Sequence, residues 1–331
     1  MKYNVAVVGA TGMVGRKFIE VLEERQFPVD EIYFFASKRS AGKVLKFIGE
    51  DVVVEELKED NIKDKKIHFA LFSAGGDTSL EFAPIFAKYG SVVIDNSSAW
   101  RMDPEVPLVV PEVNPEDIKL HKGIIANPNC STIQAMVALK PLQNKYGIKR
   151  VIYSTYQAVS GAGVGGFSDL EDGMKGEPPK KFPKPISGNV IPHIDVFLEN
   201  GYTKEEMKMV NETRKILHDE NMKITATTVR VPVFYGHSES INVELNSAFE
   251  VKDIFEIYNA SEGIIVQDDV ENLVYPTPVE AAGHDEVYIG RIRRDFSTDN
   301  GLNLWVVADN IRKGAASNAI QIAEYIINED K

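Results

Sequence analysis

The chain has 331 residues, of which 44% are apolar and 26% are charged, and its formal net charge is −12. This length exceeds what one hydrophobic core usually holds, so we expect two domains. The negative charge argues against a nucleic-acid partner, and no apolar run approaches the roughly 20 residues that cross a bilayer. A single cysteine excludes an internal disulfide and a multi-cysteine metal site. We therefore predict a cytoplasmic, metal-free protein with neither nucleic-acid nor membrane partners.

The first strand and the loop after it indicate a dinucleotide-binding domain. Residues 4–8 are a short apolar run that leads directly into Gly9, Gly12 and Gly15, spaced as G-x-x-G-x-x-G. Glycine lets the backbone turn tightly and approach a pyrophosphate, which then lies at the N-terminus of the following helix. An amphipathic helical pattern follows the loop, as this interpretation requires. The alternative is an ordinary tight turn between a strand and a helix.

The end of the second predicted strand bears on the choice of cofactor. Residues 31–36 are followed by Ser37, Lys38, Arg39 and Ser40. An acidic residue near this point usually holds the ribose 2′-hydroxyl of NAD, whereas basic and hydroxylic residues suit a 2′-phosphate. We predict NADP rather than NAD, and a solvated surface loop is the alternative.

Further strands and helices alternate through the first third of the chain. Strands are predicted at 66–72 and 91–95, with a helix between them that ends at Tyr89. This alternation is typical of a doubly wound parallel sheet, which binds ligands at the carboxyl ends of its strands, where residues 73–76 lie. Arg101 follows the later strand, and an arginine in such a loop can clamp a phosphate, although most loop arginines are simply solvated.

Cys130 is the most informative residue of the chain. An apolar run at 123–126 precedes it, and a predicted helix at 131–142 follows it. Unpaired N–H groups at a helix start concentrate positive potential, which favours the nucleophilic thiolate. We hypothesise that Cys130 attacks an acyl or aldehyde carbon and carries it as a thioester. The alternative is a small buried apolar residue, which most lone cysteines are.

The pattern changes near residue 148. A strand is predicted at 149–159, and the glycine-rich segment 160–166 after it is interpreted as a loop that a ligand can approach. Gln157, near the end of this strand, could orient a carbonyl or carboxylate. Residues 172–193 are interpreted as an irregular excursion. A helix is predicted at 203–217, where Thr203 and the glutamate three residues later form a capping box.

A strand beginning at Lys223 carries two further candidates. Its alternation places Arg230 in an apolar row, where a charge needs a partner. His237 follows a glycine just beyond the strand and could exchange a proton near neutral pH. Three other histidines remain rivals for this role: His121, His193 and His284. A C-terminal helix at 315–327 has one apolar stripe and is predicted to pack on the cofactor domain.

Several motifs together resemble the aspartate-semialdehyde dehydrogenase family. They lie at 9–15, 73–76, 127–132, 160–163, 229–233, 236–239 and 309–316. The resemblance implies reversible, phosphate-dependent conversion of aspartate semialdehyde to aspartyl phosphate with NADP, on the route to lysine, threonine and methionine. It also implies a homodimer or homotetramer. The implied fold is a glyceraldehyde-3-phosphate dehydrogenase-like α/β architecture. Its Rossmann-type NADP domain spans 1–127 and is completed by helix 311–331, and its α+β catalytic and dimerisation domain spans 128–310.

The resemblance also implies roles for individual residues. Cys130 would be the nucleophile and His237 the acid/base, with Asn129 beside the reacting oxygen. Gln157 and Arg230 would hold the substrate, Arg230 through its carboxylate, and Glu220 would hold its amino group. Arg101 and Lys223 would bind phosphate. The residues expected to contact NADP are Gly9, Thr11, Gly12, Met13, Val14, Ser37, Arg39, Ser40, Ser73, Ser160, Gly161 and Asn310. One departure is Thr228, which stands where family members often have a second cysteine.

Two kinds of rival remain at this point. A sister enzyme, such as N-acetyl-gamma-glutamyl-phosphate reductase or glyceraldehyde-3-phosphate dehydrogenase, uses the same thiol chemistry on a different acid. A non-catalytic NADP-binding regulator would keep the scaffold with an inert Cys130. Substrate trials discriminate the first rival, and the rate of alkylation of the single cysteine discriminates the second.

Overall fold

The computed structural model describes residues 1–329, and the chain divides into two compact units. One unit comprises Met1–Pro128 with the C-terminal segment from Ala315, and the other comprises Asn129–Gly314. The predicted boundaries followed residues 127 and 310. Asp330 and Lys331, the end of the predicted C-terminal helix, lie outside the described residues. Among residues 1–329, no helix combines the length and apolar character needed to cross a bilayer.

Strands and helices alternate through the first unit. Its elements before Pro128 are β1 (Tyr3–Val8), α1 (Met13–Glu24), β2 (Val29–Ala36), β3 (Val44–Phe47), β4 (Glu50–Glu56), β5 (Phe69–Phe72), α2 (Gly76–Lys88), β6 (Val92–Asp95) and β7 (Ile124–Ala126). Within residues 1–128 the strands form one sheet in the order β3-β4-β2-β1-β5-β6-β7. All neighbours pair in parallel except β3 and β4, which form an antiparallel pair that we did not predict.

The second unit contains a mixed sheet with long helices packed on one face. Its elements are α3 (Cys130–Tyr146), β8 (Ile148–Gln157), α4 (Gly163–Met174), α5 (Lys204–Leu217), β9 (Lys223–Arg230), β10 (His237–Leu245), α6 (Val251–Asn259), β11 (Ile264–Val266), α7 (Pro278–Ala281), β12 (Val287–Asp295) and β13 (Gly301–Ala308). Within 129–314 the strand order is β11-β12-β13-β10-β8-β9. Side chains alternate between the two faces, and the face towards α3, α5 and α6 is the buried one.

The C-terminal helix α8 (Ser317–Glu329) packs within the first unit, as predicted. Its small and aliphatic residues Ala319 and Ile320 share a core cluster with Phe18 and Leu22 of α1. The other face of this sheet is covered by α2, whose Phe86 packs edge-on against Phe72 at a centroid distance of 5.2 Å. Helices therefore cover both faces, and the predicted doubly wound fold class is confirmed.

Two predictions for the second unit had different outcomes. The capping box of α5 is confirmed, since Thr203 Oγ1 accepts a hydrogen bond from the backbone N–H of Glu206 at 3.2 Å. The segment 160–166, interpreted as an open loop, is instead a short 3₁₀ turn that runs into α4. A turn and a helix satisfy more backbone hydrogen bonds than an open loop, which explains how a segment so rich in glycine is ordered.

Candidate active site

Cys130 is the first residue of α3, and Asn129 caps this helix. The Asn129 side-chain oxygen accepts from the backbone N–H of Ser131 at 3.0 Å, and its own backbone N–H donates to Glu212 Oε2 at 2.7 Å. These bonds fix the backbone on both sides of the cysteine. The thiol therefore lies at a helix N-terminus, where positive potential favours its anion. A Cβ added to Gly314 would lie 2.9 Å from Cys130 Cβ, so glycine at 314 makes room for the cysteine.

His237 contacts the thiol directly. Its Nε2 lies 3.2 Å from Cys130 Sγ, and its Nδ1 accepts a hydrogen bond from the backbone N–H of Ala158 at 2.9 Å. The ring is fully buried. Burial, with a further contribution from the positive charge of Arg230, lowers the pKa of His237 to about 3. The ring is therefore neutral near pH 7.

The rival histidines have other surroundings. His193 stacks on Phe197 with ring centroids 4.3 Å apart, and His284 lies edge-on to Tyr288. His121 belongs to the first unit, where its Nδ1 accepts from the backbone N–H of Gly123. Of the candidates in the second unit, the structure brings His237 to Cys130.

The sheet places His237, Gln157 and Arg230 in one row across β10, β8 and β9. Ser238 pairs with Tyr156, so the preceding residue, His237, lies opposite Gln157, which itself pairs with Arg230. The three side chains share the buried face, since neighbours in register point the same way. Arg230 donates through Nη1 to the carbonyl of Ala158 at 2.7 Å. We call these three residues the upper row.

Glu205 links the upper row to Asn129, the residue before Cys130, and the sequence did not lead us to it. It lies in the first turn of α5 and is buried, and its Oε1 accepts from Gln157 Nε2 at 3.0 Å and from Asn129 Nδ2 at 2.9 Å. Its Oε2 accepts from Lys208 Nζ at 2.9 Å. Burial alone would raise the pKa of Glu205, but Lys208 and the two amide donors lower it to about 2. Glu205 is therefore an anion near neutral pH.

Lys208 is held one turn beyond Glu205 by two carboxylates. Its ammonium lies 2.9 Å from Glu205 and 2.9 Å from Asp195. Burial favours the neutral amine, but these two acids outweigh that effect and raise the pKa of Lys208. The sequence held only a partial signal for both residues, since it does not show which side of the helix is buried. A capping box at Thr203 fixes where α5 starts, and Glu205, Lys208 and Glu212 then fall on one side of the helix.

Glu220 and Lys223, by contrast, do not reach this cluster. Glu220 is exposed in the turn before β9, and Lys223 is the exposed first residue of that strand. Arg230 lies seven positions after Lys223, which is about 23 Å along a strand. The odd separation also directs Lys223 to the opposite face of the sheet. The roles predicted for Glu220 and Lys223 are therefore wrong, because both residues lie far from Cys130.

Three residues predicted to contact the cofactor lie beside His237: Ser160, Gly161 and Asn310. Ser160 Oγ lies 3.0 Å from Asn310 Nδ2, and Asn310 Oδ1 accepts from the backbone N–H of Gly236 at 2.9 Å. A Cβ on Gly161 would lie 3.4 Å from the Nε2 of His237 and 3.0 Å from Arg230 Nη1. Gly161 therefore lets the backbone pack against the upper row, and a larger residue would push on it.

Beneath the upper row lies a second one formed by Glu239, Thr155 and Thr228, which pair across the same three strands. Thr155 donates to the side-chain oxygen of Gln157 at 3.0 Å and so orients its amide towards Glu205. Among residues 1–329, neither oxygen of the buried Glu239 has a hydrogen-bond partner, and neither does the Thr228 hydroxyl. Burial, reinforced by the charge of Glu205, raises the pKa of Glu239 well above its ordinary value. Burial therefore favours the protonated, neutral form of Glu239.

In the first unit, the glycine loop between β1 and α1 has the geometry that a pyrophosphate requires. Gly9 has a φ of +86°, and a Cβ there would lie 2.2 Å from the carbonyl oxygen of Ser73. A Cβ on Gly15 would lie 2.1 Å from the carbonyl oxygen of Gly9. Gly12 precedes α1 without any side chain that caps its N–H groups. The loop therefore fits a dinucleotide, because its backbone is accessible and a side chain at Gly9 or Gly15 would collide with the backbone.

The other cofactor candidates of the first unit surround this loop. The hydroxyls of Thr11 and Ser40 lie 3.4 Å apart, which joins the loops after β1 and β2. Ser37 and Arg39 are exposed there, and Met13 and Val14 form the partly buried start of α1. These side chains and the accessible loop could together hold the adenosine half of a dinucleotide.

Arg101 also belongs to the first unit and is buried. Its Nε donates to the carbonyl of Asn127 at 3.0 Å, and its Nη2 donates to the carbonyl of Asn96 at 2.7 Å. The guanidinium thus fastens the loop after β6 to the end of β7. A role in phosphate binding stays a prediction for this residue.

Comparisons with known proteins agree with this architecture and chemistry. A family model described as semialdehyde dehydrogenase, NAD binding domain, matches residues 4–121, and one described as semialdehyde dehydrogenase, dimerisation domain, matches residues 139–313. Together with the cysteine–histidine pair, these matches define the class of protein, an α/β semialdehyde dehydrogenase that uses a nicotinamide cofactor.

Individual relatives narrow this class. The chain is 61% identical to an aspartate-semialdehyde dehydrogenase of Aquifex aeolicus, with 99% of both chains covered. It is similar to the crystal structure of aspartate semialdehyde dehydrogenase II of Vibrio cholerae complexed with ASA, at a TM-score of 0.94, 48% identity and 99% coverage of both chains. A Candida albicans structure of aspartate semialdehyde dehydrogenase with NADP matches at a TM-score of 0.77, with 28% identity and 98% coverage of both chains. The chain belongs to the aspartate-semialdehyde dehydrogenase family and is an oxidoreductase of amino-acid biosynthesis.

Proposed function

We propose that the protein interconverts L-aspartate 4-semialdehyde and L-4-aspartyl phosphate, with NADP and inorganic phosphate, through a thioester on Cys130. The observation that carries this proposal is the 3.2 Å contact between Cys130 Sγ and His237 Nε2 at the start of a buried helix. A thiolate at a helix N-terminus is a strong nucleophile, and covalent capture divides a difficult oxidation into two easier steps.

Two buried groups of opposite charge suit the two charges of an amino-acid substrate. Arg230 would bind the α-carboxylate in the bidentate geometry that guanidinium favours. Glu205, rather than Glu220, would bind the α-ammonium, since it is anionic and hydrogen-bonded to both Asn129 and Gln157. Gln157 would then orient the substrate between them. These contacts hold the aldehyde carbon against the sulfur and supply the orientation that the reaction needs.

The residues around Cys130 support the chemical steps. The sulfur adds to the aldehyde carbon, and His237 lies where it would contact the oxygen that becomes negative. The nicotinamide, when bound, exchanges a hydride with the substrate carbon. Phosphate then displaces the sulfur and releases the acyl phosphate. Asn129 would position Cys130 as a helix cap instead of contacting the reacting oxygen, because its side-chain oxygen and nitrogen already bond to α3 and to Glu205.

Phosphate needs local cations in a chain of net charge −12. Lys208 replaces Lys223 as the candidate from the second unit, because it is charged and lies next to Glu205. Arg101 stays the candidate from the first unit. For NADP, the candidates are the glycine loop with Thr11, Ser40 and the exposed Arg39. The solved Candida albicans relative carries NADP, which supports the same preference here.

We further propose a homodimer formed by the open face of the second sheet. This face carries Tyr156 and Trp305, whose rings lie 5.5 Å apart, and Tyr156 is 38% exposed. The exposed Leu273 and Tyr275 lie in the same unit. Aromatic residues at a surface are typical of a protein interface, and the matching family model is described as a dimerisation domain. We place the enzyme in the cytoplasm, on the route to lysine, threonine and methionine.

The test is a phosphate-dependent rise in NADPH absorbance with L-aspartate 4-semialdehyde. Glyceraldehyde 3-phosphate and N-acetylglutamate semialdehyde are the comparison substrates. Cys130→Ser should abolish turnover, while the variant still binds NADP. Mass spectrometry of the acid-quenched wild-type enzyme should find the acyl adduct on the peptide that contains Cys130. Turnover by Cys130→Ser, or a preference for either comparison substrate, would overturn the proposal.

A further inference from the structure

Residues 180–191, which belong to the segment that we interpreted as an irregular excursion, are held at both ends, and we call them the strap. At its start, the carboxylate of Asp169 in α4 accepts hydrogen bonds from three consecutive backbone N–H groups, those of residues 180–182, at 2.9, 2.8 and 2.7 Å. At its end, Ile191 exchanges two backbone hydrogen bonds with Arg230, at 2.9 and 2.8 Å. The strap therefore joins α4 to the last residue of β9, which is the arginine of the upper row.

This anchoring places the ring of Phe182 over the guanidinium of Arg230. The Cζ atom of Arg230 lies 5.8 Å from the centroid of the ring. Gly166 in α4 makes room for the ring, since a Cβ there would lie 3.0 Å from Cζ of Phe182. The ring also packs against a small apolar cluster, Val159, Leu170, Ile186 and Ile191. Both the backbone and the side chain of Phe182 are therefore held in place.

The stacked ring leaves the donor groups of Arg230 available to an anion. A guanidinium carries five N–H groups in one plane, and an aromatic ring above that plane is attracted to the charge without accepting any of them. Among residues 1–329, the hydrogen bond from Nη1 to the carbonyl of Ala158 at 2.7 Å is the one that this guanidinium makes. The ring thus offsets part of the cost of burying the charge, while the other N–H groups remain for a carboxylate.

The same contacts set the plane of the guanidinium. A single hydrogen bond, the one to Ala158, would allow the plane to rotate about it. The ring of Phe182 blocks this rotation from above, and the backbone of Gly161 approaches the edge, where a Cβ would lie 3.0 Å from Nη1. A guanidinium binds a carboxylate through two parallel hydrogen bonds only when the two groups share a plane. The orientation of the ring therefore bears on how well Arg230 can bind a carboxylate.

We propose that Phe182 is a positioning residue for the substrate, because its ring holds Arg230 in the plane in which the guanidinium binds the α-carboxylate. The strap is then one wall of the carboxylate site, and it contributes to the specificity for an α-amino-acid aldehyde. This inference rests on the proposed function and refines it. It gives the segment that the sequence left unexplained a role in substrate selection.

Two aldehydes that differ only in the α-carboxylate test this role. L-aspartate 4-semialdehyde carries the group, and 3-aminopropanal lacks it. The measured quantity is the ratio of kcat/KM for the first aldehyde to kcat/KM for the second, at saturating NADP and phosphate, with enzyme in excess where turnover is slow. Phe182→Leu keeps an apolar side chain but removes the aromatic face. We expect this ratio to fall about tenfold, in the range of a desolvated contact between a cation and an aromatic ring.

Phe167→Leu is the matched control. Phe167 lies in α4, is partly buried like Phe182, and packs against Phe234 with ring centroids 4.6 Å apart. Its replacement should leave the ratio within about twofold of the wild type, even if it lowers stability. If Phe182→Leu reduced the activity towards both aldehydes equally, or if Phe167→Leu changed the ratio as much, the ring of Phe182 would only support the fold and the proposal would be overturned.

Fluorination of the ring tests the contact without any change of packing. A meta-difluorinated phenylalanine at position 182 keeps the ring but weakens the negative charge of its face, so the ratio should fall about threefold. An unchanged ratio would contradict the proposal, even if Phe182→Leu fails to fold. A wild type that does not turn over aspartate semialdehyde would show that the proposed function is wrong. An active wild type with a ratio that neither change at position 182 alters would remove only the role of Phe182.

Discussion

In the first unit, the candidate cofactor site is built around a single loop, in which Gly12 and Gly15 face the carbonyl oxygen of Gly9, and Gly9 faces that of Ser73. In the second unit, Cys130, Gln157, Glu205, Arg230 and His237 come from α3, β8, α5, β9 and β10. The loop can be interpreted from spacing alone, since strand, turn and helix follow each other in the chain. The cysteine cluster exists only after the sheet has formed. The two sites should therefore respond differently to substitution, and four experiments examine that difference.

The largest expected effect is at Glu205. Glu205→Gln keeps the shape of the side chain but removes its charge. In the wild type, Lys208 donates to Oε2 of Glu205 at 2.9 Å, and the substitution places an N–H group towards this ammonium. We expect kcat/KM for aspartate semialdehyde to fall by about 10²-fold, which corresponds to about 3 kcal/mol. Steady-state kinetics at saturating NADP and phosphate measure this.

Glu220→Gln is the matched control, because Glu220 is exposed and lies before the far end of β9. Its kcat/KM should stay within about twofold of the wild type, as is usual for surface substitutions. If Glu220→Gln had the larger effect, the assignment of the ammonium site to Glu205 would be wrong.

The next effect is in the glycine loop. Gly15→Ala places a Cβ only 2.1 Å from the carbonyl oxygen of Gly9, so the two atoms would collide. We expect a loss of about 2 kcal/mol of unfolding free energy, typical of overpacking, and weaker NADP binding. Thermal unfolding measures the loss of stability, and cofactor titration measures the affinity for NADP. Gly76→Ala is the control for stability, since a Cβ there meets no atom within 4 Å. Equal destabilisation of the two variants would contradict this account of the loop.

The third effect concerns pH and the buried His237. Its pKa is about 3 in the folded protein and about 6.5 in the unfolded chain. Between these values the unfolded chain binds more protons, so stability rises with pH and is lost as the pH falls below 6.5. The contribution is at most about 1.4 kcal/mol per pH unit. Urea unfolding at pH values from about 5 to 7 should therefore show a shallower slope for His237→Gln than for the wild type. Parallel slopes would contradict the buried, neutral state of this histidine.

The smallest expected effect tests the preference for NADP. Arg39 is exposed near the Thr11–Ser40 contact, and an exposed ion pair is worth up to about 1 kcal/mol. Arg39→Ala should raise KM for NADP about fivefold and leave KM for NAD unchanged. The exposed Lys66 of the same unit serves as a control when replaced by alanine. An equal change for both cofactors would mean that Arg39 does not recognise the 2′-phosphate.

The sequence predicted the local features of the catalytic unit well and one long-range feature poorly. The capping box at Thr203, the helix after Cys130 and the buried row containing Arg230 each depend on nearby residues, and the structure has all three. Glu205 was missed because an acid in a charged helix is usually solvated. Only its packing against Asn129 and Gln157 distinguishes it from the exposed Glu220.

The sequence by itself determined the doubly wound first unit, the glycine loop, the cysteine at a helix start and the family, because these depend on spacing along the chain. Only the tertiary structure decided which acid contacts the helix cap Asn129, which lysine pairs with that acid, and which histidine contacts the sulfur of Cys130. Those choices depend on strand register and on the packing of α5 against Asn129 and Gln157. Neither can be inferred from residue types, since register is set by pairing between segments distant in the chain.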